Sequence, residues 1–136
     1  MIQKCLSRFA IALLACIALP GCGGSKQEKA ASNRIAAYNE LVDRIARIKT
    51  SADATAAKPD LEAIGTKIKD AQAETKQLPK PTTEEQSALD AKFKSDEDKA
   101  LARIQTELGR LTTDVGPMAT VEALTDAKLD PTDLVK

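Results

Sequence analysis

Apolar residues recur every three or four positions along most of the chain, which is the spacing of one face of an α-helix. A first helix is predicted over the apolar stripe that ends at Ile48. A second helix is predicted to begin at Pro59, because proline fits a first helical turn and Asp60 and Glu62 favour the positive end of a helix dipole. Pro79 and Pro81 end this helix. The first stripe, in a helix predicted from about residue 26 to about residue 52, is Ile35, Tyr38, Leu41, Val42, Ile45 and Ile48. The second stripe is Leu61, Ile64, Ile68, Ala71, Thr75 and Leu78.

A third helix is predicted to begin at Thr82 or Thr83, because Thr82 with Glu85, and Thr83 with Gln86, have the spacing of a capping box. It runs for about 30 residues, and Gly116-Pro117 ends it. Its stripe is Leu89, Phe93, Leu101, Ile104, Leu108 and Leu111. A shorter fourth helix carries Met118, Val121 and Leu124. We find no strand pattern and no internal repeat, and residues 130–136 resemble a loose tail.

Short turns place successive helices antiparallel. The predicted fold is therefore all-α, an elongated antiparallel three-helix bundle with a short fourth C-terminal helix. Leu108 and Leu111 extend past the first two helices in this register, so the fourth helix is expected to cover the overhanging end of the third. The predicted core layers are Leu41 with Ile68 and Phe93, and Ile48 with Leu61 and Leu101.

Two glycines interrupt the predicted helices. Gly65 and Gly109 each cost about 1 kcal/mol relative to alanine in a helix interior. Either glycine can serve the close approach of a neighbouring helix, or it can simply be tolerated. The sequence leaves both explanations open at both positions.

The first 21 residues have the pattern of a secretory signal peptide. Lys4 and Arg8 precede an unbroken apolar run at residues 9–19. Eleven helical residues extend about 16 Å, roughly half the thickness of the hydrocarbon layer of a bilayer. The run is therefore too short for a stable transmembrane helix and fits a cleaved signal.

The apolar run ends in Leu19-Pro20-Gly21-Cys22, and this segment resembles the lipobox of bacterial lipoproteins. The resemblance implies cleavage between Gly21 and Cys22, with a lipid on the Cys22 thiol. An ordinary secretory signal beside an incidental cysteine is the alternative. The lipobox divides the chain into a removed signal peptide at 1–21, a lipidated cysteine and flexible tether at 22–25, a bundle at 26–129 and a tail at 130–136.

Cleavage would change the cysteine count and the charge. Cys5 and Cys16 leave with the signal peptide, so the mature chain of 136 − 21 = 115 residues keeps only Cys22 and forms no internal disulfide. Its side-chain charge is 18 − 20 = −2, because Lys4 and Arg8 are lost from the balanced 20 basic and 20 acidic residues. With this charge and 2% aromatic residues, we expect no nucleic-acid partner.

The chain contains no pattern typical of a catalytic or metal site, and we predict no enzyme activity, no cofactor and no metal. It has no histidine, the commonest general base and transition-metal ligand. Asp96, Glu97 and Asp98 form the one acidic cluster, but Leu101 stands where the turn of a calcium loop requires glycine. We interpret the cluster as a solvated helix face paired with nearby lysines, which are Lys92, Lys94 and Lys99.

These observations favour a non-catalytic lipoprotein of the cell envelope, anchored by lipid and binding a protein partner or the cell wall. We expect it on the outer membrane facing the periplasm in a diderm bacterium, and otherwise on the outer face of the cytoplasmic membrane. The alternative is a lipoprotein that binds a small ligand or regulates an enzyme through a groove between helices. A minor alternative is attachment to peptidoglycan through Lys136, since the organisation resembles the major outer-membrane lipoprotein of enteric bacteria, which also ends in lysine.

Overall fold

The computed structural model describes residues 25–129, and this part of the chain is all-α with no β-strand. A π-helical turn, Asp90–Lys94, joins two α-helices into one continuous helix in the region of the predicted third helix. The signal peptide, the lipobox with Cys22, the tail and Lys136 lie outside the described residues. The α-helices are α1 (Lys26–Ala46), α2 (Ser51–Gln77), α3 (Thr83–Leu89), α4 (Ser95–Asp114) and α5 (Pro117–Asp126).

The turn between α1 and α2 is shorter than the sequence pattern predicts. The prediction that α1 extends to about residue 52 and that α2 begins at Pro59 is wrong. A capping box at Thr50 and Asp53 starts α2 two turns earlier. The Thr50 hydroxyl accepts a hydrogen bond from the Asp53 N–H at 3.2 Å, and the Asp53 carboxylate accepts one from the Thr50 N–H at 2.9 Å.

Pro59 therefore lies in the interior of α2, where proline removes one helical hydrogen bond. The two turns before it are held by packing as well as by the capping box, because Ala54 and Ala57 are buried in the core. Alanine contributes little to a hydrophobic pattern, so the proline dominated the sequence signal. Asp60, predicted at the start of the helix, instead pairs with Arg44 of α1 at 2.9 Å.

The predicted ends of the third helix are confirmed. The Thr82 N–H donates to the Glu85 carboxylate at 2.8 Å, and the Glu85 N–H donates to the Thr82 hydroxyl at 3.3 Å. At the other end, Gly116 has φ of 128°, a conformation that favours glycine, and Pro117 occupies the first turn of α5.

The core lies between α1 and its two neighbours. α1 packs against α2 and α4, and α5 packs against the same two helices. The predicted stripe of α1 is buried except for Ile35, which is half-buried, and that of α2 is buried from Leu61 to Ala71. Each fully buried leucine or isoleucine contributes about 1.5–3 kcal/mol. The largest fully buried side chains are Leu41, Val42, Ile45, Ile48, Leu61, Ile68, Ile104 and Leu111.

The predicted core layers place α4 in the wrong register along α1, so that the wrong residues of the two helices lie side by side. Arg34 of α1 pairs with Glu97, and Arg110 donates to the carbonyl oxygens of Ile45 and Ile48. α4 therefore lies about ten residues nearer the N-terminal end of α1 than the layers of Leu41 with Phe93 and of Ile48 with Leu101 require. Phe93 lies level with the first two turns of α1, and Leu101 lies beside Tyr38 and Gln72.

The predicted overhang of helix three beyond the other helices is also wrong. Leu111 is fully buried in the main core, and Leu108 packs partly buried against it. Of the three α5 residues expected to cover them, Met118 and Val121 are instead 68% and 55% exposed, whereas Leu124 packs half-buried against the core. α5 packs through small residues, because these allow the backbone to come close to α2 and α4. The buried residues of this segment are Ala119, Ala123, Ala127 and Leu129.

Gly65 allows this close approach, whereas Gly109 has no such role. A Cβ atom added at Gly65 would overlap the backbone carbonyl of Ala127, while one added at Gly109 would have nothing within 4 Å.

We therefore expect Gly65→Ala to destabilise the protein by about 1–3 kcal/mol, the usual cost of overpacking. Gly109→Ala is the control and should stabilise by up to about 1 kcal/mol through helix propensity. Thermal unfolding of both variants measures the difference, and equal melting temperatures would contradict the packing of α5 on α2.

Candidate functional site

A groove of about 600 Å³ opens at the end of the bundle where α1 begins and α2 ends. We call it the N-terminal groove. Its walls are the first turns of α1, the last turn of α2 with the connection that follows, and the continuous helix from Gln86 to Asp98. Most of its surface is apolar, and the apolar residues that line it are Ala31, Leu78, Pro79, Pro81, Leu89 and Phe93.

The groove exists because α1 and the continuous helix of α3 and α4 are not closely packed against each other here. α3 contains no buried residue, and Leu89 and Phe93 are only half-buried. Lys92 pairs with Glu28 at 3.1 Å, which places the Phe93 ring at the level of Ala31. A methyl group opposite an aromatic ring does not fill the space between helices, so a cavity remains.

An ion pair crosses the groove at its inner end. The Arg34 Nη2 donates a hydrogen bond to one carboxylate oxygen of Glu97 at 3.0 Å, and Nε lies 2.9 Å from the other oxygen without forming a hydrogen bond. Both side chains are about one quarter exposed, at 22% and 25%. The same two residues also line the neighbouring cavity beside Tyr38, so the pair stands between the two cavities. The contact is an ion pair with one charge-assisted hydrogen bond.

Other polar groups of the groove are bonded within the chain. The Gln27 side-chain amide donates to the Pro79 carbonyl at 3.0 Å and ties α1 to the connection after α2. Gln86 donates to Asp90 at 2.7 Å. The Lys92 ammonium also lies 5.3 Å from the centre of the Phe93 ring. These bonds orient the groove walls.

The acidic cluster divides among three different partners. Asp96 pairs with Lys99 at 3.5 Å and Asp98 pairs with Lys94 at 3.1 Å, as the helix-face interpretation predicts. Glu97 instead turns inward to Arg34. Within residues 25–129, no three potential ligand side chains come together in a way that could hold a metal ion.

Sequence reasoning missed the groove and the pair that crosses it. Arg34 and Glu97 are 63 positions apart, and neither breaks a local pattern. The available signal was the Leu78-Pro79-Lys80-Pro81 segment, which we interpreted only as a helix stop.

A second exposed apolar feature is the pair Met118 and Val121 on α5. In the described part of the chain, no helix combines the length and the apolar character needed to cross a bilayer.

Removing one charge from the Arg34–Glu97 pair tests its contribution to the bundle. We expect Glu97→Gln to lower the free energy of unfolding by about 1–2 kcal/mol, because a shielded guanidinium loses a charged acceptor. The neighbouring change Asp96→Asn is the control, since Asp96 and Lys99 are 64% and 72% exposed and such pairs contribute little. Urea unfolding measures both variants, and a loss in Glu97→Gln no larger than in Asp96→Asn would exclude a structural role for the pair.

The capping box beside the groove predicts a pH dependence. The Thr82 N–H, and then its hydroxyl, hold the pKa of the Glu85 carboxyl below its ordinary value of 4.5. A lowered pKa means that the ionised carboxylate stabilises the folded form above pH 4.5, and that this stabilisation is lost as the pH falls through the folded-state pKa. In an NMR titration, the Thr82 amide proton should therefore shift with a midpoint below 4.5. Glu85→Gln should abolish that step, and a midpoint at or above 4.5 would contradict the bond.

Comparison with known proteins identifies no family for this chain. No protein-family model, no curated protein and no solved structure matches it. The proposals below therefore rest on the residues of this chain and on the geometry of the described helices.

Proposed function

We propose that the protein is a membrane-anchored lipoprotein of the bacterial envelope, whose helical bundle is a non-catalytic interaction or structural module. The observation that carries the proposal is the segment Leu19-Pro20-Gly21-Cys22. It follows an apolar run of eleven residues, at residues 9–19, and a basic start with Lys4 and Arg8. This order is that of a lipoprotein signal, in which the thiol of Cys22 carries the lipid.

The start of α1 supports a location of the bundle close to the membrane. The Ser25 hydroxyl caps α1 by accepting the Glu28 N–H at 3.2 Å, and Ser25 lies three residues after Cys22 in the sequence. Three extended residues span at most about 11 Å. The end of the bundle that contains the N-terminal groove would therefore lie next to the headgroups of the membrane.

The arrangement of the helices supports an interaction or structural role. We propose an elongated, antiparallel bundle of three long helices, with the short α5 alongside α2 and α4. The polar residues described in the groove form pairs that hold helices together, such as Arg34 with Glu97. The bundle would present its surfaces to a protein partner in the envelope. We propose the outer membrane facing the periplasm in a diderm bacterium, and the outer face of the cytoplasmic membrane otherwise.

The groove also favours a second candidate function, a lipoprotein that binds a small ligand between its helices. Its volume of about 600 Å³ lies within the range of about 300–1,000 Å³ that is usual for small-molecule sites. Its lining is mainly apolar with several polar groups at the edges, as in many such sites. A titration with apolar small molecules, followed by the NMR chemical shifts of the Phe93 ring, would distinguish this candidate from a purely structural module.

The anchor is tested by replacing the lipidated residue. In a bacterial host, we expect the natural chain to mature to a form that starts at Cys22 and carries the mass of its acyl groups. Cys22→Ser should leave an uncleaved and unacylated precursor, because the thiol is the group that is alkylated. Cys16→Ser is the matched control, since Cys16 lies in the signal peptide and its loss should leave maturation intact.

Intact-mass spectrometry and membrane fractionation measure both variants. If the natural chain is recovered unmodified and begins at another residue, the proposal is wrong. If Cys22→Ser is processed in the same way as the natural chain, the ordinary secretory signal replaces the lipobox as the explanation of the first 21 residues.

A further inference from the structure

We infer that the N-terminal groove binds an acyl chain carried by Cys22 of the same molecule. The inference rests on the lipidation proposed above and names the occupant of the groove. An acyl chain that leaves the bilayer surface would lie along the apolar wall formed by Leu78, Leu89 and Phe93.

Covalent geometry places the acyl chains within reach of the groove. Gln27 and Ala31, on the first two turns of α1, line it. Cys22 lies three residues before Ser25, which caps that helix. Since three residues span at most about 11 Å, the lipid is attached close to the groove mouth whatever path the tether takes. The covalent tether would hold these acyl chains at a high effective concentration beside the groove.

The chemistry of the groove selects an apolar occupant. Arg34 and Glu97 are paired with each other through one hydrogen bond and a second close contact, and Gln27, Gln86 and Asp90 are bonded within the chain. A charged ligand would have to break the ion pair to gain a partner. The surface that remains for binding is the apolar one, where half-buried leucine, proline and phenylalanine side chains are still in contact with water. Covering them with hydrocarbon removes that contact.

The mouth of the groove also suits a lipid. Lys76 and Lys80 line it, both exposed. Lysine side chains at a membrane surface extend their charged ends toward lipid phosphates while their methylene stems cover apolar surface. An acyl chain in the groove would therefore fix the orientation of the bundle relative to the membrane, with α3 and the connection after α2 facing the headgroups.

Photocrosslinking from the groove wall tests the occupant. Leu89 is replaced by p-benzoylphenylalanine in the full chain, which is expressed in a bacterium and irradiated both in membranes and after purification. Val121 on the exposed face of α5 is the matched control position, because it is an accessible apolar residue outside the groove. Intact mass first establishes whether Cys22 is acylated, so a failure of the proposed function is recognised before the groove is tested.

We expect tryptic digestion to give a product that joins the peptide containing position 89 to residues 22–26 through an acyl chain. It should form at least fivefold more at position 89 than at position 121. Adding Phe93→Glu should reduce it at least fivefold by placing a charge on the apolar wall, while Val121→Glu should leave it unchanged. Circular dichroism verifies that both variants remain helical.

Other occupants would appear as different products. Crosslinks from position 89 to free phospholipid, to a protein partner or to a second copy, in a chain whose Cys22 is acylated, would overturn the inference. Equal yields at positions 89 and 121 would overturn it as well. An unacylated chain would contradict the proposed function itself.

Discussion

The register of α4 along α1, meaning which residues of the two helices lie side by side, determines the rest of the described structure. Arg110 sets it at one end, where its guanidinium donates to the carbonyl oxygens of Ile45 and Ile48 at 3.0–3.2 Å. The Ile45 carbonyl also accepts the backbone N–H of Ile48 at 3.0 Å, and Arg110 adds a side-chain donor at this helix end. Glu107 bonds the same guanidinium at 2.7 Å and keeps it oriented. The Arg34–Glu97 pair holds the same register near the other end.

Two consequences follow from this register. Leu111 reaches the end of α1 and is buried in the main core together with the alanines of α5. At the opposite end, α3 extends beyond the first turn of α1 and buries none of its residues. The N-terminal groove thus lies where the continuous helix of α3 and α4 extends past the start of α1. The same end of the bundle adjoins the proposed lipid anchor.

The features that the sequence predicts correctly are decided by residues within about four positions of each other. The Thr82–Glu85 capping box, the stop at Gly116-Pro117 and the buried stripe of α1 are of this kind. The register of α4, the inner pair of Arg34 with Glu97 and the alanine face of α5 depend on residues far apart in the chain and on small side chains. Hydrophobic periodicity gives weight to large side chains, so it assigned Met118 and Val121 to the core, whereas close packing on Gly65 favoured the alanines.

The register of α4 on α1 leaves an apolar groove at the end of the bundle where α1 begins. Nuclear Overhauser effects between the two helices test it most directly, in the Cys22→Ser form of the chain with the signal peptide removed. The structure predicts cross-peaks between the Arg110 side chain and the end of α1 near Ile48, and between the Phe93 ring and Ala31. Cross-peaks that join Leu101 to Ile48 and Phe93 to Leu41 would place α4 at the height expected from hydrophobic periodicity, and they would contradict this account.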